Sequence, residues 1–229
     1  SEVNVLITDK DGNEIFSGNT TVQDEEGNWS IDVDQELEEG NYNVKAETTD
    51  KAGNTATDEA DLEIDTTAPT ITAEDKVTND RTPPLTGGSD QPAGSEVNVL
   101  ITDKEGNEIF SGDTTVQDEE GNWSIDVDQE LEEGNYNVEA ETTDEAGNTA
   151  VDEADLEIDT TAPTITAEDK VTNDRTPPLT GSSDQPKGSE VNVLVTDKDG
   201  NEIFSGNTTV QDEEGNWSID VDQELEEGN

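Results

Sequence analysis

The residues best placed to do chemistry in this chain are carboxylates set beside prolines. Asp65 stands in the string Ile64-Asp65-Thr66-Thr67-Ala68-Pro69, and Asp159 stands in the same string 94 positions later. Further oxygen donors gather in short Gly- and Asn-containing loops: Asp50 with Asn54, Asp144 with Asn148, Asp90 and Asp184, Asp80 and Asp174, and Asp9 and Asp103. Carboxylates, Asn amides and loop carbonyls are the ligands of a hard cation. Ca²⁺ accepts six to eight such oxygens at about 2.3–2.6 Å in irregular geometry, whereas Mg²⁺ demands a tighter octahedron and keeps its waters. Ca²⁺ is therefore the expected ion. The chain has no His and no Cys, which removes the usual zinc ligands, thiolate sites, disulfide staples and the commonest general base.

Composition points the same way. Sixty-one acidic residues face 10 basic ones, a formal net charge of -51 over 229 residues. Self-repulsion of that size opposes compaction unless cations or high salt relieve it. With 27% hydrophobic residues, each core must be small. Nucleic acid and anionic membranes are disfavoured as partners, because the phosphate contacts they need come from Lys and Arg. No apolar run approaches the length of a membrane span and no secretory signal opens the chain, so a soluble chain is expected.

The elements that must position these loops are strands in a repeat. Trp29, Trp123 and Trp217 are spaced by 94, as are Ser1, Ser95 and Ser189. Residues 1–65 match 95–159 except at Asp11/Glu105, Asn19/Asp113, Lys45/Glu139, Lys51/Glu145 and Thr57/Val151. One unit is thus repeated about two and a half times. Period does not set phase, and two Pro-containing seams compete: 65–69 and 89–94. The first follows one alternating run and precedes another; the second has the content of a tight loop. The expected division is a partial repeat over 1–65, a complete repeat over 66–159 and a partial repeat over 160–229.

Within 66–159 seven short strands are expected. They cover Thr70 to Val77, the region of Pro84 to Thr86, Glu96 to Thr102, Glu108 to Val116, Trp123 to Val127, Tyr136 to Thr142 and Thr149 to Ile158, with one helical turn at most, near Gln129 to Glu133. Trp123, Ile125 and Val127 alternate with Ser124 and Asp126, so Trp123 is read as core rather than as a sugar-stacking platform. Seven alternating strands with turns every 8–12 residues make an all-β, Ig-like β-sandwich, and Tyr136 sits where such a sandwich keeps its tyrosine corner. On this division residues 1–65 hold the third to seventh strands of a unit, and 160–229 hold the first to fifth.

Successive loops of such a sandwich alternate between two poles. Asp90, Asp144 and Asn148 share one pole with the start of the domain, while Asp80, Asp103 and the end at Asp159 share the other. Stacking repeats end to end sets one domain's linker Asp against the next domain's loops, so an end-to-end rod with a cation at each seam is expected. The hairpin Asp9-Lys10-Asp11-Gly12-Asn13-Glu14 resembles the front of an EF-hand loop. It lacks the flanking helices and the closing Glu, and a β turn with Gly at positive φ is the better reading.

The run TAPTITAEDKVTNDRTPPLTGGSDQPAGSEVNVLITD, followed by GNWSIDV, EGNYNVEAETTDEAGN and DLEIDTTAP, resembles a bacterial Ig-like repeat of the giant calcium-dependent adhesins of the RTX type. The resemblance covers the whole chain. It implies extender modules that hold a terminal adhesive domain away from the cell for adhesion or biofilm formation. It also implies Ca²⁺ at the junctions, an extracellular cell-surface location reached by type I secretion, and neighbouring repeats of the same chain as partners. No direct membrane contact and a monomer are expected, with any glycan or cell-surface contact made through other domains. Two alternatives stand beside it: a glycan- or surface-binding module acting by avidity, and a salt-adapted spacer without specific ions. An enzyme is not expected, since the paired carboxylates recur in every copy with no apolar surround to raise one acid's pKa.

Overall fold

The computed structural model describes residues 1–226 and contains seventeen strands and, among those residues, no α-helix. In chain order they are β1 (Glu2–Asp9), β2 (Glu14–Thr21), β3 (Gly40–Thr49), β4 (Thr55–Ile64), β5 (Ile71–Ala73), β6 (Lys76–Thr78), β7 (Pro84–Ser89), β8 (Glu96–Thr102) and β9 (Glu108–Thr115). There follow β10 (Asn122–Asp126), β11 (Gly134–Thr143), β12 (Thr149–Ile158), β13 (Ile165–Ala167), β14 (Pro178–Ser183), β15 (Glu190–Thr196), β16 (Glu202–Thr209) and β17 (Asn216–Asp220). Two compact units result, Ser1–Asp159 and Thr160–Asn229. The last three residues expected in the final repeat, 227–229, lie outside the described residues.

The middle repeat is a sandwich of two sheets, one ordered β10-β7-β5 and the other β6-β12-β11-β8-β9. Its core follows from period-two alternation. Val97, Val99 and Ile101 of β8, Val138 and Ala140 of β11, and Ala154, Leu156 and Ile158 of β12 point inward against Ile71, Leu85 and Trp123 of the other sheet. Val116, Val127 and Leu131 close the core from the connections. Thr142 is its one fully buried polar side chain, and it donates to Glu96 O at 2.8 Å. The tyrosine corner is present: Tyr136 donates its hydroxyl to Glu132 O at 2.8 Å, as Tyr42 does to Glu38 O.

Two details differ from the sequence reading. The strand expected over Thr70 to Val77 is two: β5 pairs antiparallel with β7, then the chain crosses at Glu74-Asp75 and β6 pairs parallel with β12 in the opposite sheet. The segment Gln129 to Glu133 is not helical. There Gln129 donates its amide to Ile109 O on β9, and Leu131 is buried while its N–H bonds Arg81 O.

The flanking repeats carry subsets of this sandwich. Residues 1–65 form one four-stranded sheet, β2-β1-β3-β4. The fifth strand expected there, around Trp29, does not form, because its ladder partner in the middle repeat, β7, has no counterpart in residues 1–65. Residues of the last unit form β13-β14-β17 and the hairpin β15-β16.

Candidate functional site

The loops that the sequence marks as metal-ligating are built on one local design, Asp-x-x-Gly-Asn, which occurs eight times, beginning at Asp9, Asp24, Asp50, Asp103, Asp118, Asp144, Asp197 and Asp212. In each, the Asn backbone N–H donates to Asp Oδ1 and the Asn side-chain amide donates to Oδ2. At Asp50 both distances are 2.8 Å, and at Asp144 they are 2.8 and 2.9 Å. The Gly takes a positive φ, +80° at Gly12 and +93° at Gly147, which only Gly adopts without strain. Hydrogen bonds from the Asn side chain first, and from backbone N–H groups after it, stabilise the carboxylate and hold all eight aspartates below their usual pKa. The hairpin at Asp9 is thus a turn closed on itself, as is its counterpart at Asp103.

One of these turns does more. At the seam between residues 1–65 and the middle repeat, Asn148 is half-buried and its amide is shared between Asp144 Oδ2 at 2.9 Å and the carbonyl of Asp65 at 3.1 Å. Its counterpart Asn54 is exposed and bonds only Asp50. On the other side of the linker, Glu39 Oε2 accepts from the hydroxyls of Thr66 and Thr67, both at 2.8 Å, and these bonds lower its pKa. Asp65 Oδ1 accepts from Thr67 N, and Asp90 Oδ1 accepts from Thr70 N, both at 2.9 Å. The bond from Thr70 is the first cause of Asp90's lowered pKa. The five-residue linker is therefore clasped from both repeats.

Asp65, Thr67, Asp90 and Asp144 line an open cleft of about 680 Å³. Its walls carry five carboxylates (Glu63, Asp65, Asp90, Asp144 and Glu145) and neither Lys nor Arg. Of the residues singled out in the sequence, the structure thus brings Asp65, Asp90, Asp144 and Asn148 together. Asp50 and Asn54 lie in the turn between β3 and β4 and do not join them. Asp80 caps its own turn through Thr82 N at 2.9 Å, and Asp159 closes β12 with its N–H on Thr78 O at 2.9 Å. In the second unit Asp174 binds Thr176 N at 3.0 Å and Asp184 binds Thr164 N at 2.9 Å. The donor set at the cleft suits a hard cation in kind, being all oxygen, but it is not preassembled: no three carboxylates among the described residues form a ready metal-holding group. Sequence reasoning missed Glu39 and Glu63, while Glu145 belongs to the loop it had placed at this pole with Asp144 and Asn148. The eightfold recurrence of Asp-x-x-Gly-Asn was the available sign that Asp9, Asp50, Asp103 and Asp144 close turns.

The sequence profile of a family described as bacterial Ig-like domain matches residues 1–66 and 69–160. The chain belongs to the bacterial Ig-like domain family. Similar solved structures include a tetra-tandem repeat in the extending region of a large adhesion protein (31% identity over 95% of this chain and 57% of that one, TM-score 0.40). Another is described as a Ca²⁺-stabilized adhesin that helps an Antarctic bacterium reach out and bind ice (22% identity, 96% and 56% covered, TM-score 0.30). A third concerns cell-surface retention of a 1.5-MDa bacterial ice-binding adhesin (20% identity, 96% and 75% covered, TM-score 0.31). The chain thus spans less than two thirds of the first two. At these TM-scores the likenesses carry no argument about this chain's own site. No curated protein matches.

Proposed function

We infer that this bacterial Ig-like chain is a spacer: tandem repeats, each running from about residue 66 to 159 of its period, that set a distal adhesive domain away from the cell surface and catalyse nothing. The observation that carries the reading is the seam. The linker is gripped by Glu39 from one repeat and by Asn148 from the next, and it is bordered by a carboxylate-lined cleft. A binding module would put its polar groups into a shaped pocket; here the polar contacts across the seam serve the joint between residues 1–65 and the middle repeat.

Ca²⁺ is the ion proposed for the seam, held by Asp65, Asp90 and Asp144 with Glu63 or Glu145. Five carboxylates facing one cleft without a basic neighbour repel, and a divalent cation relieves that repulsion while tying both repeats to one centre. Extracellular placement on a bacterial surface and export by type I secretion belong to the same proposal. Calorimetric titration of the chain with Ca²⁺ at fixed ionic strength tests it. Saturable binding that is weakened by Asp65→Asn and by Asp90→Asn supports the assignment, and heats no larger than those of Mg²⁺ in the same range remove it.

A further inference from the structure

We propose that the parallel pairing of β6 with β12 is the force-bearing clamp of the repeat, locked at the strand crossing by Asp75 and Asp152. A spacer that joins a cell to a held surface is pulled from both ends, so the proposal extends the spacer reading. It rests on topology and not on the seam cation.

The chain enters the middle repeat at Thr70, on the pole of Asp90 and Asp144, and runs through β5 and β6 toward the opposite pole. It leaves at the end of β12, beside Thr78: the register is Leu156 with Lys76, Glu157 with Val77 and Ile158 with Thr78, and Asp159 N bonds Thr78 O at 2.9 Å. Tension drags β6 toward its own start and β12 toward its own end. Because the two strands are parallel, these are opposite directions along one axis, so every bond between them is loaded at once. Were the entering and leaving strands antiparallel neighbours, both ends would emerge at one pole and the pairs would open one after another. The same hydrogen bonds resist far more when loaded together, since forced unfolding is governed by the barrier to the first break.

Two side chains extend this clamp past its three backbone pairs. Asp152 Oδ2 accepts from Ala73 N, and Asp75 Oδ1 accepts from Asp155 N, both at 2.9 Å. They sit on either side of the crossing at Glu74-Asp75 and join β5, β6 and β12 where the ladder itself is interrupted. Lys76 adds a bond from Nζ to Pro84 O at 2.7 Å. Leu156 and Ile158, each 1% exposed, seat the leaving strand in the core, so the entering strand is the one that slides. Neither Asp75 nor Asp152 takes part in the cleft at the seam.

Single-molecule pulling along two axes tests this, and the absence of Cys makes engineered attachment points unique. In the full chain, Ala68→Cys with Ala162→Cys loads the clamp, while Glu96→Cys with Thr115→Cys, at the open end of the β8–β9 hairpin, loads an antiparallel pair. In chelator, the first axis is expected to need several-fold more force, with release of about 30 nm as residues 70–159 extend. Asp75→Ala is expected to lower that force and to leave the hairpin axis unchanged. Equal forces along both axes, or an Asp75→Ala variant that breaks at the original force, overturn the proposal. A high force in chelator combined with no Ca²⁺ binding keeps the clamp and removes only the cation.

Discussion

Trp123 and Trp29 occupy the same place in nearly the same sequence, yet Trp123 is 1% exposed and Trp29 is 37% exposed. The difference is the sheet that covers them. Trp123 lies on β10, which pairs with β7 over Asn122–Asp126, and its indole N–H donates to Thr72 O at 3.1 Å. Residues 1–65 have no strand to play β7's part, so Gly27-Asn28-Trp29-Ser30-Ile31 stays irregular despite its clean alternation. Trp217, in the last unit, is an intermediate case. The ladder with β14 is present and the ring is buried, but the indole N–H finds no partner among the described residues. Alternation nominates a strand; a neighbouring ladder makes one.

The comparison can be broken most forcefully at the tryptophans themselves. Trp123→Ala should cost about 3–5 kcal/mol in the unfolding of the middle repeat. Trp29→Ala should cost well under half of that, read by chemical denaturation of each variant. Equal losses would mean that the first repeat packs its Trp as the middle one does.

The glycines of two matching turns give the next effect. Gly27 and Gly121 both have φ near +90°, so Ala at either carries the left-handed penalty of roughly 1–2 kcal/mol. A Cβ at Gly121 would lie 1.9 Å from Ser89 O, whereas one at Gly27 meets nothing within 4 Å. Gly121→Ala should therefore destabilise clearly more than Gly27→Ala in thermal melts. The gap measures the contact that β7 makes with Gly121 and that residues 1–65 do not supply to Gly27.

Acid should act on what all three repeats share. The eight turn aspartates have folded pKa values below the unfolded value of about 3.9. A depressed carboxylate pKa contributes stability that is complete above the unfolded pKa and is lost as pH falls through the folded one. The turns should thus loosen only below about pH 4, in the first repeat as in the middle one. Asp50→Asn and Asp144→Asn, followed by amide exchange against pH, should each flatten that loss locally.

The smallest effect sits on the outer face. Lys45 pairs across the ladder with Glu59, whereas the matching pair in the middle repeat is Glu139 with Glu153. Glu139→Lys should stabilise the middle repeat by roughly 0.2–1 kcal/mol, less at high salt. A denaturation series against ionic strength reads it.

Much of this was legible in the residues. Period-two alternation placed the strands of the middle repeat, and Tyr136 announced its corner before the bond to Glu132 was seen. The crossing at Glu74-Asp75 was not legible, because no Gly or Pro marks it; it is fixed by side-chain acceptors, Asp75 and Asp152, that are distant in sequence from the N–H groups they bind. The seam was legible in outline, since Asp65, Asp90 and Asp144 line one cleft and Asn148 bonds the Asp65 carbonyl beside it. Glu39 was not, because its role depends on where the loop before Gly40 meets Thr66 and Thr67. In the turns an Asp followed four residues later by Asn satisfies its own carboxylate locally, and of these aspartates Asp144 also lines the cleft at the seam.

The central claim is that cation binding at Asp65, Asp90 and Asp144 fixes the angle between successive repeats. Small-angle scattering of the chain at constant ionic strength, in millimolar Ca²⁺ and then in excess chelator, tests it most directly. The account predicts an extended profile with Ca²⁺ and a smaller radius of gyration with broadened flexibility after chelation. An identical profile in both conditions would contradict it and would leave the joint to Asn148 and Glu39 alone.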